Sequence, residues 1–530
     1  MLRVGVGVSY KQKPLTGRFD AIVIGSGMGG LTVAAILAKR SDKQVLVLER
    51  HYTAGGLTHS FTRPGYEWDV GVHYVGEVGE EGALRAPLEY LTEGRLAWAP
   101  LPDTYDRVHL GERSYDLVKG RERFLATLKD AFPSEASALE RYMDLVDDCR
   151  RASAAFFTSK ALPSAMSRVV GPSLRDAYLR HATRTTASVI ASLTKSRELM
   201  GVLTAQYGNY GSPPSESSFA VHAGIVGHFM EGAYFPVGGA GAIAEAFAPT
   251  IEAAGGAIYV SAEVESILVE GDCARGVRMG DGREVRAPIV ISDAGVANTF
   301  GRLVPRALIP PELSDSLAAL GPSTGHVCLY LGLKHTDEEL GLTGTNRWIF
   351  PDENHDEGLK KFRADPQAPL PFVYASFPSA KDPTFRDRHP GRATVDVLTA
   401  ARYEWFEPWA KSRWRRRGHE YEALKARFSE RILEMLFTQV PQLRGRIDVQ
   451  ELSTPATMRH FGGHPNGELC GLDHTPERFA STLGPRTPIR GLFLTGQDVA
   501  LVGVGGAFTG GVLAAAAIEG PGVLRNVMWQ

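Results

Sequence analysis

Residues 21–49 constrain this chain more than any other stretch. Ala21-Ile-Val-Ile24 is a short β-branched run of the kind buried in a parallel sheet. It leads directly into Gly25-Ser-Gly27-Met28-Gly29-Gly30, then into a helix-like stretch from Leu31 to Lys39. A second apolar strand, Val45 to Leu48, ends at Glu49. Together these make a βαβ unit with a dinucleotide fingerprint. Gly25 permits the tight turn, Gly27 lets a pyrophosphate approach the backbone, and Gly30 lets helix and strand pack closely. The helix N-terminus offers free N–H groups and a positive dipole end to phosphates. Glu49 stands near the spacing of roughly 20 residues expected of an acid that binds ribose hydroxyls. A carboxylate there repels a 2′-phosphate.

With 530 residues, the chain exceeds what one core usually organises, so two or more domains are expected. Its net charge of −2 gives no global attraction to nucleic acid. Cys149, Cys273, Cys328 and Cys470 are far apart and form no CxxC pair, which argues against a disulfide framework or structural zinc and for a reducing compartment. No HExxH or similar spacing relates His59, His73, His222, His460, His464 and His474, so no metal is expected. The first eighteen residues hold Lys11, Lys13 and Arg18 without a long apolar core, and no secretory leader is expected. Two long apolar stretches, Ala21 to Ala38 and Leu492 to Ile518, are broken by glycine clusters, the second also by Gln497 and Asp498. Neither reads as a membrane span.

The far end of the chain supplies a second half-site. Gly491-Leu-Phe-Leu-Thr495 reads as a strand, Gly496-Gln497-Asp498 as a turn, and Gly505 onward as an Ala-rich helix. Asp498 is placed to accept a hydrogen bond from a ribityl hydroxyl, and the helix start at Val504 to Ala507 to stabilise negative charge on a reduced flavin ring. Gly55 and Gly56 let a further loop run beside the pyrophosphate and ribityl chain. Both ends of the chain therefore read as halves of one flavin site, with FAD rather than NAD as the cofactor.

These paired motifs resemble the flavin family of amine oxidases, phytoene desaturases, carotenoid isomerases and retinol saturases. The segments Ala54-Gly-Gly-Leu57-Thr-His-Ser-Phe61, Trp68-Asp-Val-Gly-Val-His73-Tyr74-Val-Gly76 and Leu494-Thr-Gly-Gln-Asp-Val499 are most similar to its retinol saturase-like branch. Ser217 to Ala223, Tyr234 to Gly239 and Asp473-His474-Thr475 add to the match, which runs from about Phe19 to the C-terminus. The resemblance implies an α/β fold (α+β overall) with a discontinuous Rossmann-like FAD domain of residues 18–78, 232–300 and 485–530. Residues 79–231 and 301–484 then form a mixed-sheet and helical substrate domain with membrane-facing helices. The implied cofactor set is Gly25, Gly27, Met28, Gly29, Gly30, Glu49, Arg50, Gly55, Gly56, Leu57, Val264, Gly496, Asp498, Gly505, Gly506 and Ala507, with Val264 meeting adenine through its backbone. His73 and Tyr74 lie in a loop that the family folds toward the flavin, which makes them the catalytic candidates. His73 is expected to titrate near neutrality and donate a proton. The alternative is that it only hydrogen-bonds backbone around the Gly71 turn.

In the middle block, Gly255 to Val260 and Val264 to Val269 read as strands, and Cys273 to Met279 with Glu284 to Ile291 as a hairpin. Gly238-Gly-Ala-Gly241 reads as a helix-start turn, since no apolar strand leads into it. No separate nicotinamide domain is visible. NAD(P)H, if it is the electron donor, must enter the flavin cleft itself; otherwise another partner serves.

Between residues 150 and 200, nine Lys or Arg stand against Asp176 and Glu198, interleaved with Phe156, Phe157, Met166, Val169, Val170 and Tyr178. That pattern suits either anionic headgroups or a solvated helical face. Trp405, Phe406, Trp409 and Trp414 beside Arg413 to Arg417 read as packing with a charged edge. The resulting expectation is a cytoplasmic protein associated peripherally with membrane. Its substrate is an apolar isoprenoid, and its reaction saturation or desaturation of a carbon–carbon double bond. Redox-neutral polyene isomerisation, amine oxidation and a non-catalytic flavin-binding lipid carrier are the alternatives.

Overall fold

The computed structural model describes residues 5–528. Ala21–Ile24 and Val45–Leu48 are buried at every position, as strands covered on both faces must be. They sit in the middle of a six-stranded parallel sheet ordered Val8–Ser9, Ala257–Val260, Val45–Leu48, Ala21–Ile24, Ile289–Ser292, Leu492–Leu494. Strands from the beginning, middle and end of the chain thus meet in one sheet. Its edge strand Val8–Ser9 lies ahead of residue 18. Residues 529 and 530, at the end of the third expected segment, lie outside the described ones. The helix Met28–Ser41 packs against both Gly503–Glu519 and Ala242–Ala253.

Two details of the middle block differ from the sequence expectation. The second hairpin strand stops at Arg286, and Ile289–Ser292 crosses into the parallel sheet instead. Pro288, which has no N–H for an antiparallel ladder, marks the crossing. Gly241 does cap the helix Ala242–Ala253, yet the strand Ala233–Pro236 leads into that turn, paired with Val75–Gly76 and Trp98–Pro100.

A seven-stranded mixed sheet forms the other body, ordered Ile447–Ser453, His326–Leu333, Ala393–Ala400, Val373–Ser376, Asn346–Phe350, Thr104–Leu110, Arg113–Val118. Alternation along its strands divides two faces. Val327, Leu329, Leu331, Val395 and Val397 pack with Phe428, Ile432 and Leu436 of the helix His419–Gln439. Cys328, Tyr330, Trp348, Tyr374 and Leu398 turn the other way, into a cluster with Tyr207 and Phe229. The observed fold is the α/β class expected, a Rossmann-like unit joined to a mixed-sheet and helical body. Among the described residues, no helix is long and apolar enough to cross a membrane.

Candidate flavin and substrate site

A cavity of about 2040 Å³ extends from the parallel sheet to the aromatic face of the mixed sheet. That volume exceeds the roughly 300–1,000 Å³ of a pocket for one small ligand, so a cofactor and a substrate fit together. Gly25, Glu49, Asp293 and Thr495, which directly follow four of the parallel strands, line one end. Ligands of open parallel sheets bind at this carboxyl edge. Tyr207, Phe229, Trp348, Phe372, Tyr374 and Leu398 line the other end.

Three glycine turns converge at the sheet edge. Gly25 takes φ +100°, a left-handed conformation that glycine adopts without strain. A Cβ on Gly29 would lie 2.5 Å from Gly496 Cα and N, and one on Gly56 would lie 2.8 Å from Gly27 Cα. Glu49 is buried and held in place: Oε2 accepts from Ser26 N–H at 3.0 Å and Ser26 Oγ–H at 2.7 Å, and Oε1 accepts from His51 N–H at 2.7 Å. Thr495 lines this end, and its hydroxyl is buried without a partner among the described residues. A side-chain-free cradle, a fixed acid and an orphaned hydroxyl fit a dinucleotide.

Of the cofactor residues read from the sequence, Gly30 and Gly55 do not line the cavity, and the others do. Gly30 packs so closely that a Cβ would strike the Gly25 carbonyl. Gly55, at φ +120°, donates its N–H to Ser26 Oγ at 3.0 Å. Asp498 has more work than the sequence suggested. Its oxygens accept from the N–H groups of Val296 and Leu472, each at 2.8 Å, so it braces two chain crossings beside the cavity.

Asp293 was not foreseen. It sits under the glycine loop, where the N–H groups of Gly27 and Gly30 reach its carboxylate, and burial pushes it up to about 7. Trp414 packs against Phe461 with the charged Arg415 over its ring, and it also lines the cavity. Trp405, Phe406 and Trp409 do pack, against Phe362, Phe428 and Tyr421.

At the aromatic end, Tyr74 donates to Asp106 Oδ2 at 3.0 Å and stacks on Phe229 with centroids 4.1 Å apart. Burial raises its hydroxyl well above the ordinary value. His73 lines the cavity next to it. Burial, followed by the nearby Lys381 charge, lowers the His73 imidazole to about 3, which overturns the expectation of titration near neutrality. The ring is neutral at pH 7 and cannot act as an imidazolium. Lys381 Nζ donates to His73 O at 2.8 Å, Asn346 Oδ1 at 2.5 Å and Ser376 Oγ at 2.6 Å. Among the described residues, no three His, Cys, Asp or Glu side chains gather to hold a metal ion.

The sequence profile of the flavin containing amine oxidoreductases matches residues 28–387. The chain belongs to this family. Its cofactor is FAD, and it is an oxidoreductase. This flavoprotein is 39% identical over 512 residues to the all-trans-retinol 13,14-reductase of Danio rerio, covering 93% of this chain and 84% of that protein. It is 27% identical over 496 residues to the chloroplastic prolycopene isomerase of Arabidopsis thaliana, covering 91% and 79%. A solved putrescine oxidase with bound putrescine superposes with a TM-score of 0.62 at 17% identity, over 95% of this chain and 99% of that one. At that identity the likeness is one of fold.

FAD affinity is expected to fall as pH rises above about 7. A pyrophosphate placed on the loop over Asp293 favours the protonated carboxyl, so binding takes up a proton. Linkage then weakens binding by up to about tenfold per pH unit beyond the free group's pKa. Fluorescence titration of apoprotein with FAD on either side of neutrality reads this slope. Asp293→Asn should flatten it; an unchanged slope in the variant rules Asp293 out as its source.

Proposed function

We propose that this flavoprotein reduces a carbon–carbon double bond of all-trans-retinol or a retinoid of the same build. The long aromatic extension of the cavity beyond the glycine turns carries this reading. Tyr207, Phe229, Trp348, Phe372 and Tyr374 offer flat apolar walls to a conjugated chain. Similarity to retinol 13,14-reductases over nearly the whole chain supports it. FAD is held by residues 18–78, 232–300 and 485–530, with Gly25, Gly27, Gly29, Gly56 and Gly496 against the phosphates and ribityl chain and Glu49 on the ribose. When bound and reduced, the cofactor supplies a hydride; the protein must supply a proton to the neighbouring carbon. NAD(P)H, if it is the electron donor, enters through the same cavity; otherwise another donor serves.

Isomerisation is the second reading, favoured by the prolycopene isomerase relative. Anaerobic addition of all-trans-retinol to the chemically reduced protein separates the two. Reduction reoxidises the flavin in step with loss of retinol. Isomerisation leaves the flavin reduced, and a flavin unresponsive to retinol defeats the proposal.

The protein also associates peripherally with membrane in this reading. On the helix Ser164–Ala182, Met166, Val169 and Val170 are 49%, 78% and 41% exposed, while Tyr178 turns inward and stacks on Phe156 of the preceding helix Ala136–Ala161. Arg168 stands among the exposed three. Phe157 and Tyr178 also line the cavity, so this surface adjoins the substrate space. Flotation with anionic vesicles is expected at low salt and should weaken as salt shortens the screening length to about 10 Å at 0.1 M. Val169→Asp should lower binding by about tenfold, the loss of roughly 1.5 kcal/mol of buried side chain. A protein that stays with the soluble fraction at low salt contradicts this placement.

A further inference from the structure

The aromatic face of the mixed sheet is crossed by a polar row. Strand register pairs Asp106 with Asn346, Ser376 with Asp396, and Asp396 with Tyr330. Lys381 Nζ joins the row by donating to both Asn346 Oδ1 and Ser376 Oγ, and its third donor goes to His73 O. Beside it stand polar atoms with no hydrogen-bond partner among the described residues: His73 Nδ1 and both carboxylate oxygens of Asp396. His73 Nδ1 and Asp396 Oδ2 are 3.6 Å apart, with side chains 12% and 0% exposed. Native folds rarely leave such atoms unpaired, and a contraction of roughly 0.6 Å brings them to ordinary hydrogen-bond separation.

We propose that Asp396 is the positioning residue for His73: its protonated carboxyl donates to Nδ1, fixing the Nε2–H tautomer, and that N–H protonates the bound polyene. The protonation half of this inference rests on the retinoid-reductase reading. Hydride addition from the reduced flavin leaves an electron pair on the neighbouring carbon. As the Nε2–H bond breaks and a C–H bond forms, Nδ1 takes the Asp396 proton. The carboxylate left behind faces the Lys381 ammonium. His73 stays neutral throughout, so its low basicity is no obstacle.

The electrostatics agree with this arrangement. Burial raises Asp396 well above the carboxylate range, with Lys381 opposing, and holds His73 uncharged. The other titratable groups acting on this pair or on Lys381 are Asp69 from Tyr66–Asp69, Asp106, His326, Cys328, Tyr330 and Tyr374. His73 reaches the cavity and Asp396 does not, so the carboxyl acts only through the ring.

Nitrogen-15 spectra of histidine-labelled, FAD-loaded protein test the pairing without turnover, with His73 assigned by its loss in His73→Gln. Wild type should show the Nε2–H tautomer. Asp396→Asn keeps an N–H donor for Nδ1 and should keep the tautomer, while Asp396→Leu should lose it. Because the amide has no acidic proton, Asp396→Asn should slow retinol reduction by about 10²–10⁴-fold with FAD content unchanged. Wild-type His73 in the Nδ1–H form, or Asp396→Asn turning over as wild type, overturns the proposal. If wild type shows the tautomer but does not reduce retinol, the substrate reading fails and the pairing stands.

Discussion

Gly29→Val should leave the protein without FAD. The added side chain begins 2.5 Å from the Gly496 Cα and N, which are backbone atoms that cannot swing aside. Either the helix Met28–Ser41 moves or the Gly496 turn does, and each carries one half of the cofactor cradle. Overpacking of this kind costs about 1–3 kcal/mol or more, and here the distortion falls on both halves at once, so affinity should drop by at least about 100-fold. Gly358→Ala is the matched control. It lies in the helix His355–Ala364 with open space around the added Cβ, and should be neutral or stabilising by about 0.4–1 kcal/mol. Absorbance of bound flavin after desalting reads both. A Gly29→Val protein that retains full FAD would refute the convergence of the two chain ends on one cofactor.

Lys381→Met should cost about 3–5 kcal/mol of stability near pH 6, where the wild-type ammonium is charged. Three acceptors lose their donor, and the Asp69, Asp106 and Asp396 carboxyls lose the buried cation that acts on them. Burial lowers Lys381 to about 7, below its unfolded value. Between about 7 and 10 the unfolded chain therefore binds more protons than the folded one, and this group makes stability rise with pH there. Urea midpoints across that window should show the rise in wild type and its loss in Lys381→Met. Asp69, raised to about 7 chiefly by burial, has the opposite sign and acts lower, making stability fall from about pH 4 toward 7. Equal midpoints for variant and wild type would mean that the polar row does not depend on its lysine.

What sequence disclosed here was local. Gly25 to Glu49 is one continuous βαβ unit, and Leu492 to Asp498 a strand and its turn, so pattern and spacing were sufficient to place them at one sheet edge. Asp293 escaped because its strand, Ile289–Ser292, reads as the continuation of a hairpin until Pro288 is recognised as a crossing. The row Asp106, Asn346, Ser376 and Asp396 comes from four strands spread over some 290 residues, and only register aligns them. The proton affinity of His73 is not legible in its own segment, because burial beside a lysine distant in sequence sets it. The interleaved stretch 150–200 was ambiguous for a related reason. Which apolar side chains face inward depends on how two helices dock, and Phe156 and Tyr178 took the inside while Val169 did not.

This flavoprotein is expected to use FAD to saturate a retinoid double bond. The most direct measurement is the mass of the product formed when the reduced holoprotein meets all-trans-retinol under anaerobic conditions in heavy water. Saturation predicts a product carrying two added hydrogens, both deuterium because the reduced flavin's N–H and the proton donor each exchange with heavy water, formed one for one with reoxidised flavin. Recovered retinoid of unchanged mass, whether retinol itself or a geometric isomer, would contradict it.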